Sequence, residues 1–140
     1  MSVDFIDSNV LLYLFDETDA RKRRIAERLI RQALEAGSAL ISFQVVQETL
    51  SVLVGKLRRP ATQDDARRFL DKVLAPMWRV MPSTTLYQRA LDLRSRYRFS
   101  FYDSLIVAAA LEADCARLLS EDLQNGQRVE RLVIKNPFVG

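Results

Sequence analysis

The 140-residue sequence contains no histidine and only one cysteine, Cys115. Catalytic dyads and triads that use an imidazole base therefore cannot be assembled, and neither can His-ligated or Cys-rich zinc and iron sites. A lone cysteine also cannot form an internal disulfide. We expect Cys115 to be a small core residue. The chemistry that remains available uses carboxylates, hydroxyls, lysine and arginine.

Long apolar runs and a strong charge imbalance are also missing. No stretch of 18 apolar residues occurs, and residues 1–7 lack the basic segment and apolar run of a secretion signal. The formal net charge of +3 is too small to indicate nucleic-acid binding by itself. We expect a soluble, cytoplasmic protein without membrane association. With 49% apolar residues, a chain of this length fits one globular domain over residues 1–140.

Short strand-like runs alternate with helical patterns along the chain. Runs rich in β-branched and large apolar residues predict strands at 3–7, 39–42, 78–81, 117–120 and 132–135. Apolar periodicity predicts helices at 22–36, 44–57, 84–97 and 103–113, and a further helix between Thr62 and a stop at Pro76. This alternation favours an α/β fold with a parallel sheet of about five strands. Right-handed crossovers would place helices on both faces, giving a three-layer α/β/α sandwich.

Four acidic residues stand at predicted strand ends or on the helices that follow. Asp7 closes the first strand, Glu48 lies on the helix after the second, Asp103 opens the apolar helix 103–113, and Asp122 follows the fourth strand. Ligands bind outside the carboxyl ends of such strands, so the topology brings these acids to one end of the domain. Clustered carboxylates repel unless a cation neutralises them. An all-oxygen ligand set selects Mg²⁺ or Mn²⁺, which supports phosphodiester hydrolysis without histidine.

Each acid also has a structural alternative. Asp7 and Asp103 are suited to cap helices, and Glu48 belongs to a polar stripe at helical spacing, which is typical of a solvated face. Asp122 lies in a turn-like segment, where its neighbour Glu121 competes for the same role. The combination of all four acids is therefore the stronger indication of a site.

The segments around these acids resemble a PIN domain over nearly the whole chain. The resemblance is carried by Asp7-Ser8-Asn9 after the opening strand, by Gln47-Glu48, by the run from Tyr102-Asp103-Ser104 to Ala110, and by Leu119-Ser120-Glu121-Asp122 through Gly126. The small size resembles the VapC-type ribonuclease toxins of bacterial toxin–antitoxin pairs. The resemblance implies a Mg²⁺- or Mn²⁺-dependent endoribonuclease that forms a homodimer, cuts RNA and is neutralised by a cognate antitoxin protein.

The resemblance also implies residue roles. Asp7, Glu48, Asp103 and Asp122 match the family's catalytic acids, with Asp7, Asp103 and Asp122 as metal ligands. Asn9 matches the polar residue that steadies the first acid, and Ser120 matches the hydroxyl near the fourth acid.

Basic and aromatic residues offer contacts to such a substrate. The run Arg21-Lys22-Arg23-Arg24 is our first choice for RNA phosphate contacts, although a solvated helix face is the alternative. Phe99, Phe101 and Tyr102 could stack on unpaired bases, and packing beneath the apolar helix is the preferred interpretation for at least two of them.

Two other functions compete with RNA hydrolysis. A non-catalytic RNA-binding or regulatory module would use the acids only to hold a structural ion. A phosphatase with an aspartyl intermediate at Asp7 would need a second Asp two residues later, where this chain has Asn9.

Overall fold

Six strands form one central sheet in the computed structural model, which describes residues 2–139. The strands, in chain order, are β1 Asp4–Ile6, β2 Ala39–Ser42, β3 Trp78–Val80, β4 Arg117–Leu119, β5 Arg128–Val129 and β6 Leu132–Lys135. Their order across the sheet is β3-β2-β1-β4-β6-β5. All neighbouring pairs are parallel except β5 with β6, which is antiparallel. The predicted parallel sheet is confirmed, and β5 is an additional edge strand that the sequence analysis missed.

Helices connect the strands. They are α1 Ser8–Leu12, α2 Ala20–Ala36, α3 Phe43–Gly55, α4 Gln63–Phe69, α5 Ala75–Met77, α6 Thr84–Tyr97 and α7 Phe101–Glu112. A 3₁₀ turn, Tyr13–Phe15, follows α1, and a π-helical segment, Leu70–Leu74, joins α4 to α5. Gly37 ends α2 with a φ of 61°, a left-handed conformation that glycine adopts without steric cost. No helix in the described part of the chain combines the length and apolarity needed to cross a membrane.

Several helix boundaries differ from the predictions. The helix α2 begins at Ala20 rather than 22, and α3 spans Phe43–Gly55 rather than 44–57. Two further differences have a clear local cause. The buried helix α7 begins at Phe101 rather than 103, because the Ser100 hydroxyl accepts a hydrogen bond from the Asp103 N–H and caps the helix. Helical conformation also runs past Pro76 to Met77, since the proline sits in the first turn of α5, where its missing N–H is tolerated. Asp103 therefore lies inside the first turn of α7 and is not its N-cap.

The strand order changes its direction of progress across the sheet at the neighbouring parallel strands β1 and β4. From β1 the chain steps to β2 and β3, and it then crosses back to β4 on the other side of β1. Right-handed crossovers place helices on both faces for this strand order. The carboxyl ends of β1 and β4 therefore flank a topological switch point, the position where α/β sheets bind ligands.

The core fills the space between the sheet and the helices. Every residue of α7 from Ser104 to Leu111 is buried, which confirms the prediction from its uniform apolarity. Cys115 is also buried, as expected. This packing holds the start of α7, with Asp103, at a fixed position relative to the switch point.

Candidate active site

Asp7 is the most buried acid at the switch point. It follows β1, and its backbone N–H donates to the Leu119 carbonyl of β4 at 3.0 Å. Its side chain caps α1 by accepting a 2.7 Å hydrogen bond from the Ser8 N–H. Burial, which disfavours the charged form, is the main reason that the pKa of Asp7 is raised to about 6. The charges of Glu48 and Asp122 act in the same direction, whereas the hydrogen bonds from Ser120 and the Ser8 N–H oppose the rise. Asp7 therefore caps its helix and also shares an acidic environment.

Asn9 connects the first acid to the loop after β4. Its Nδ2 donates to Asp7 Oδ2 at 3.2 Å, to Ser120 Oγ at 3.2 Å and to Asp122 Oδ2 at 3.1 Å. Its Oδ1 accepts from the Glu121 N–H at 3.0 Å. Ser120 Oγ in turn donates to Asp7 Oδ2 at 2.9 Å. One amide side chain thus aligns two carboxylates and a buried hydroxyl.

Glu48 and Asp103 approach this network from α3 and α7. Glu48 Oε1 accepts a 3.3 Å hydrogen bond from Ser8 Oγ. Partial burial raises the pKa of Glu48, and the charges of Asp103 and Asp122 act in the same direction. Partial burial likewise raises the pKa of Asp103, as does the charge of Asp122. The four acids therefore influence one another electrostatically, and we call them the acid pocket.

The carboxylate oxygens of the acid pocket are suited to bind a hard cation. Within residues 2–139, none of its four carboxylates forms an ion pair with lysine or arginine. The donor atoms are oxygens, which Mg²⁺ and Mn²⁺ prefer. In the same described range, no group of three acids is arranged as a ready metal site. The acid pocket thus has the right ligand chemistry, and its carboxylates would have to draw together around an ion.

Glu121 points away from the acid pocket. Its Oε1 accepts from Tyr13 Oη at 2.5 Å, and its Oε2 forms a 2.5 Å ion pair with Lys22 Nζ. These partners hold the pKa of Glu121 below its ordinary value against the opposing effect of burial. The side chains of these two adjacent acids, between which the sequence did not decide, therefore point in different directions. The Asp122 carboxylate accepts a hydrogen bond from Asn9, whereas the Glu121 carboxylate binds Tyr13 and Lys22.

Three of the four side chains in the basic run at the start of α2 have partners within the protein. Arg21 donates to the Phe138 carbonyl at 2.7 Å, and Arg23 lies 3.6 Å from Glu27. Lys22 pairs with Glu121, and the pairing raises the pKa of Lys22 to about 12. The structure therefore does not present the four side chains as one free cluster, and contact with RNA stays a prediction.

The aromatic residues before Asp103 have different environments. Phe99 and Phe101 pack against the core and stack on Tyr97 and Tyr87, respectively. Tyr102 is 64% exposed and adjoins Asp103. Tyr102 is therefore the aromatic side chain of this segment that is open to a ligand.

Neither the position of Tyr13 beside Glu121 nor the pairing of Lys22 with Glu121 could be predicted from the sequence pattern. Tyr13 lies in a 3₁₀ turn too short to produce a periodic pattern, and Lys22 is separated from Glu121 by 99 positions. A run of basic residues does not indicate which of its side chains turns toward the interior. Only the adjacency of Glu121 and Asp122 signalled that one of the two has a different role.

Solved structures with the same fold include toxins and their complexes. A toxin–antitoxin complex from Klebsiella pneumoniae matches with 22% identity and a TM-score of 0.66, covering 96% of this chain and 97% of that one. VapBC2 from Rickettsia felis, bound to a promoter DNA fragment, matches with 16% identity and a TM-score of 0.67, with coverages of 96% and 98%. The sarcin-ricin loop cleaving toxin VapC20 of Mycobacterium tuberculosis matches with 21% identity and a TM-score of 0.60, with coverages of 85% and 91%.

The sequence itself places the chain in a family. No curated protein shows significant sequence similarity to it. The family model of the PIN domain, however, matches residues 5–130, a range that includes all four acids as well as Asn9 and Ser120. The chain therefore belongs to the PIN domain family.

Proposed function

We propose that this protein is a metal-dependent endoribonuclease that acts as the toxin of a toxin–antitoxin pair. One observation carries the proposal: Asp7, buried at the switch point, shares the Asn9 amide with Asp122 and has no cationic side chain as a partner within the described residues. Uncompensated carboxylates at a ligand-binding edge are costly unless they bind a cation. We assign residues 1–140 to one nuclease domain.

Asp7, Asp103 and Asp122 are the residues that would hold the ion, Mg²⁺ or Mn²⁺. When bound, such an ion polarises a phosphoryl oxygen and lowers the pKa of water. Asn9 and Ser120 keep Asp7 Oδ2 oriented by hydrogen bonds of 3.2 Å and 2.9 Å. Glu48 is the remaining catalytic acid. Its raised pKa suits it to accept a proton from the attacking water at a carboxylate oxygen.

The RNA would enter over the exposed edge of the acid pocket. Tyr102 is exposed beside Asp103 and is placed to stack on an unpaired base. Arg21 and Arg24 are the exposed members of the basic run and would contact the phosphate backbone. Lys22 and Arg23 are partly buried and are therefore less accessible to an RNA phosphate.

Two protein partners complete the proposal. The matched Klebsiella pneumoniae structure is described as a toxin–antitoxin complex, and we infer that a cognate antitoxin neutralises this chain in the same way. We also infer a homodimer. Tyr87 and Leu91 lie one turn apart on α6 and are 38% and 56% exposed, an apolar stripe that a second copy would cover. A cytoplasmic location follows from an RNA substrate and an antitoxin made in the same cell.

Cleavage of RNA by the purified protein tests the proposal. We expect hydrolysis of a single-stranded substrate in Mn²⁺ or Mg²⁺, and none in EDTA, because no histidine is available to replace the ion. Asp103→Asn should be inactive, whereas Asp92→Asn, which removes an exposed acid of α6, should retain activity. Undiminished cleavage in EDTA would contradict the metal mechanism. Metal binding without cleavage of any RNA would favour the non-catalytic module.

A further inference from the structure

The loop that carries Asp122 is held on two sides. On the inner side, Asn9 Oδ1 accepts from the Glu121 N–H, and Asn9 Nδ2 donates to Asp122 Oδ2. On the outer side, Lys22 and Tyr13 bind the two carboxylate oxygens of Glu121. The loop between β4 and β5 is therefore fixed both at the backbone and at a side chain.

The outer contacts form a compact group, which we call the Glu121 cluster: Tyr13, Lys22 and Glu121. Lys22 Nζ also lies 3.3 Å from Tyr13 Oη and 5.0 Å from the centre of the Tyr13 ring. The Tyr13 ring packs edge-on against Phe138 with 4.8 Å between ring centroids. The Lys22 and Glu121 side chains are only 27% and 23% exposed, so solvent screens their attraction less than that of a surface ion pair.

Asp122 has few contacts of its own. It is exposed, and its described hydrogen bonds are the one from Asn9 and a 3.3 Å bond from its N–H to Ser120 Oγ. The direction of its carboxylate therefore depends on the backbone of the loop. Holding Glu121 on the outer side fixes that backbone and keeps Asp122 turned toward Asn9 and Asp7.

We propose that Lys22 and Tyr13 anchor Glu121 outside the acid pocket and thereby orient Asp122 for ion binding. Lys22, Tyr13 and Glu121 are then positioning residues, since none of them touches the ion or the reacting phosphate. The inference rests on the ion-binding role proposed for the acid pocket. It differs from two other roles open to these side chains, namely Glu121 as an ion ligand and Lys22 as an RNA contact.

The affinity for Mn²⁺ distinguishes the three roles. The variants are Lys22→Met and Glu121→Gln, their double mutant, and Lys22→Arg as the conservative replacement. Arg31→Met is the matched control, because Arg31 is an exposed cation of the same helix to which no RNA contact is assigned. Mn²⁺ binding to the purified protein is measured by calorimetric titration, and the melting temperature in EDTA reports that each variant is folded.

We expect Lys22→Met and Glu121→Gln each to weaken Mn²⁺ binding about 10-fold, the usual effect of removing an outer residue that orients a ligand. The double mutant should be no weaker than either single mutant, because both remove the same anchor. Lys22→Arg and Arg31→Met should bind Mn²⁺ with the affinity of the wild type. Since Glu121→Gln is nearly isosteric, it keeps the test valid if Lys22→Met fails to fold.

Four results would overturn the inference. Tighter Mn²⁺ binding by Lys22→Met would identify Glu121 as a ligand for which Lys22 competes. A raised KM for RNA with unchanged Mn²⁺ affinity in Lys22→Met would identify Lys22 as an RNA contact. If the wild type binds Mn²⁺ and both single mutants bind it equally well, the positioning role fails while the acid pocket stands. A wild type that binds no Mn²⁺ would overturn both proposals.

Discussion

The acid pocket and the Glu121 cluster lie side by side, yet their charges are balanced in opposite ways. In the Glu121 cluster, Lys22 and Tyr13 satisfy both oxygens of the carboxylate. In the acid pocket, burial and mutual repulsion raise the pKa values of Asp7, Glu48 and Asp103. An acid whose carboxylate is fully paired, such as Glu121, is suited to a structural role, whereas acids without a cationic partner are candidates for ligand binding.

The largest effect should come from removing one carboxylate of the acid pocket. We expect Asp7→Asn or Asp122→Asn to lower RNA cleavage by about 10²–10³-fold, more than loss of an outer orienting residue costs. Glu121→Gln should lower it by only about 10-fold. Single-turnover cleavage rates at a Mn²⁺ concentration below the Kd of the wild type measure the difference. Equal losses at Asp122 and Glu121 would remove the distinction between the two regions.

The pH dependence of stability gives the next effect. The fold raises the pKa of Asp7 from 3.8 to about 6, so it favours the neutral acid. The corresponding stability is present below pH 4 and is lost as the pH rises through 6, by about 3 kcal/mol. Asp7→Asn is neutral throughout and should escape this loss. In EDTA, the variant should therefore gain stability relative to the wild type between pH 4 and pH 7.

Denaturant unfolding at both pH values measures this difference, with Asp92→Asn as the control. Subtracting the wild-type values from those of the variant removes the pH dependence that both proteins share, such as that of Asp16. If the difference in unfolding free energy between Asp7→Asn and the wild type stayed constant across the pH range, burial would not raise the pKa of Asp7.

Ion binding should stabilise the fold by an amount similar to the pH effect of Asp7. At a Mn²⁺ concentration 100 times Kd, the gain is about 2.7 kcal/mol, which raises the melting temperature by several degrees for a chain of this size. Asp103→Asn should melt above the wild type in EDTA, because one repelling charge is gone, but it should gain less from Mn²⁺. Melting curves in EDTA and in Mn²⁺ check both statements. An equal gain in the two proteins would place Asp103 outside the ion site.

The smallest effect concerns the exposed part of the basic run. If Arg21 and Arg24 contact RNA phosphates, Arg21→Gln/Arg24→Gln should flatten the slope of log affinity against log salt by up to about 1.4, or roughly 0.7 per contact. Binding is measured with the inactive Asp103→Asn background. The matched control is Arg28→Gln/Arg31→Gln, which removes two other exposed cations of α2. An unchanged slope would assign Arg21 and Arg24 to a solvated helix face.

The sheet and the acid positions were predictable because each rests on a regular pattern. Five of the six strands, Ala39–Ser42 among them, coincide with short apolar runs bounded by polar residues. The strand-end rule then brings Asp7 and Asp122 to one edge, since parallel strands share their carboxyl ends. Hydrogen bonds from Asn9 to both acids agree with that expectation.

The parts that escaped prediction are short or depend on distant partners. The strand β5 has two residues and α1 has five, which is too few for either to show a period. The outward orientation of the Glu121 side chain depends on Lys22 and Tyr13, which lie about a hundred positions away in the chain. Local pattern cannot decide which of two adjacent acids turns inward, because tertiary packing makes that choice.

Anomalous diffraction from crystals grown in Mn²⁺ would locate the ion itself. We expect a manganese peak bounded by the carboxylates of Asp7, Asp103 and Asp122, with Glu121 still paired to Lys22. The same crystals of Asp103→Asn should show a weaker peak or none. A peak on Glu121, a peak elsewhere on the chain, or no peak at saturating Mn²⁺ would show that Asp7, Asp103 and Asp122 do not form the ion site.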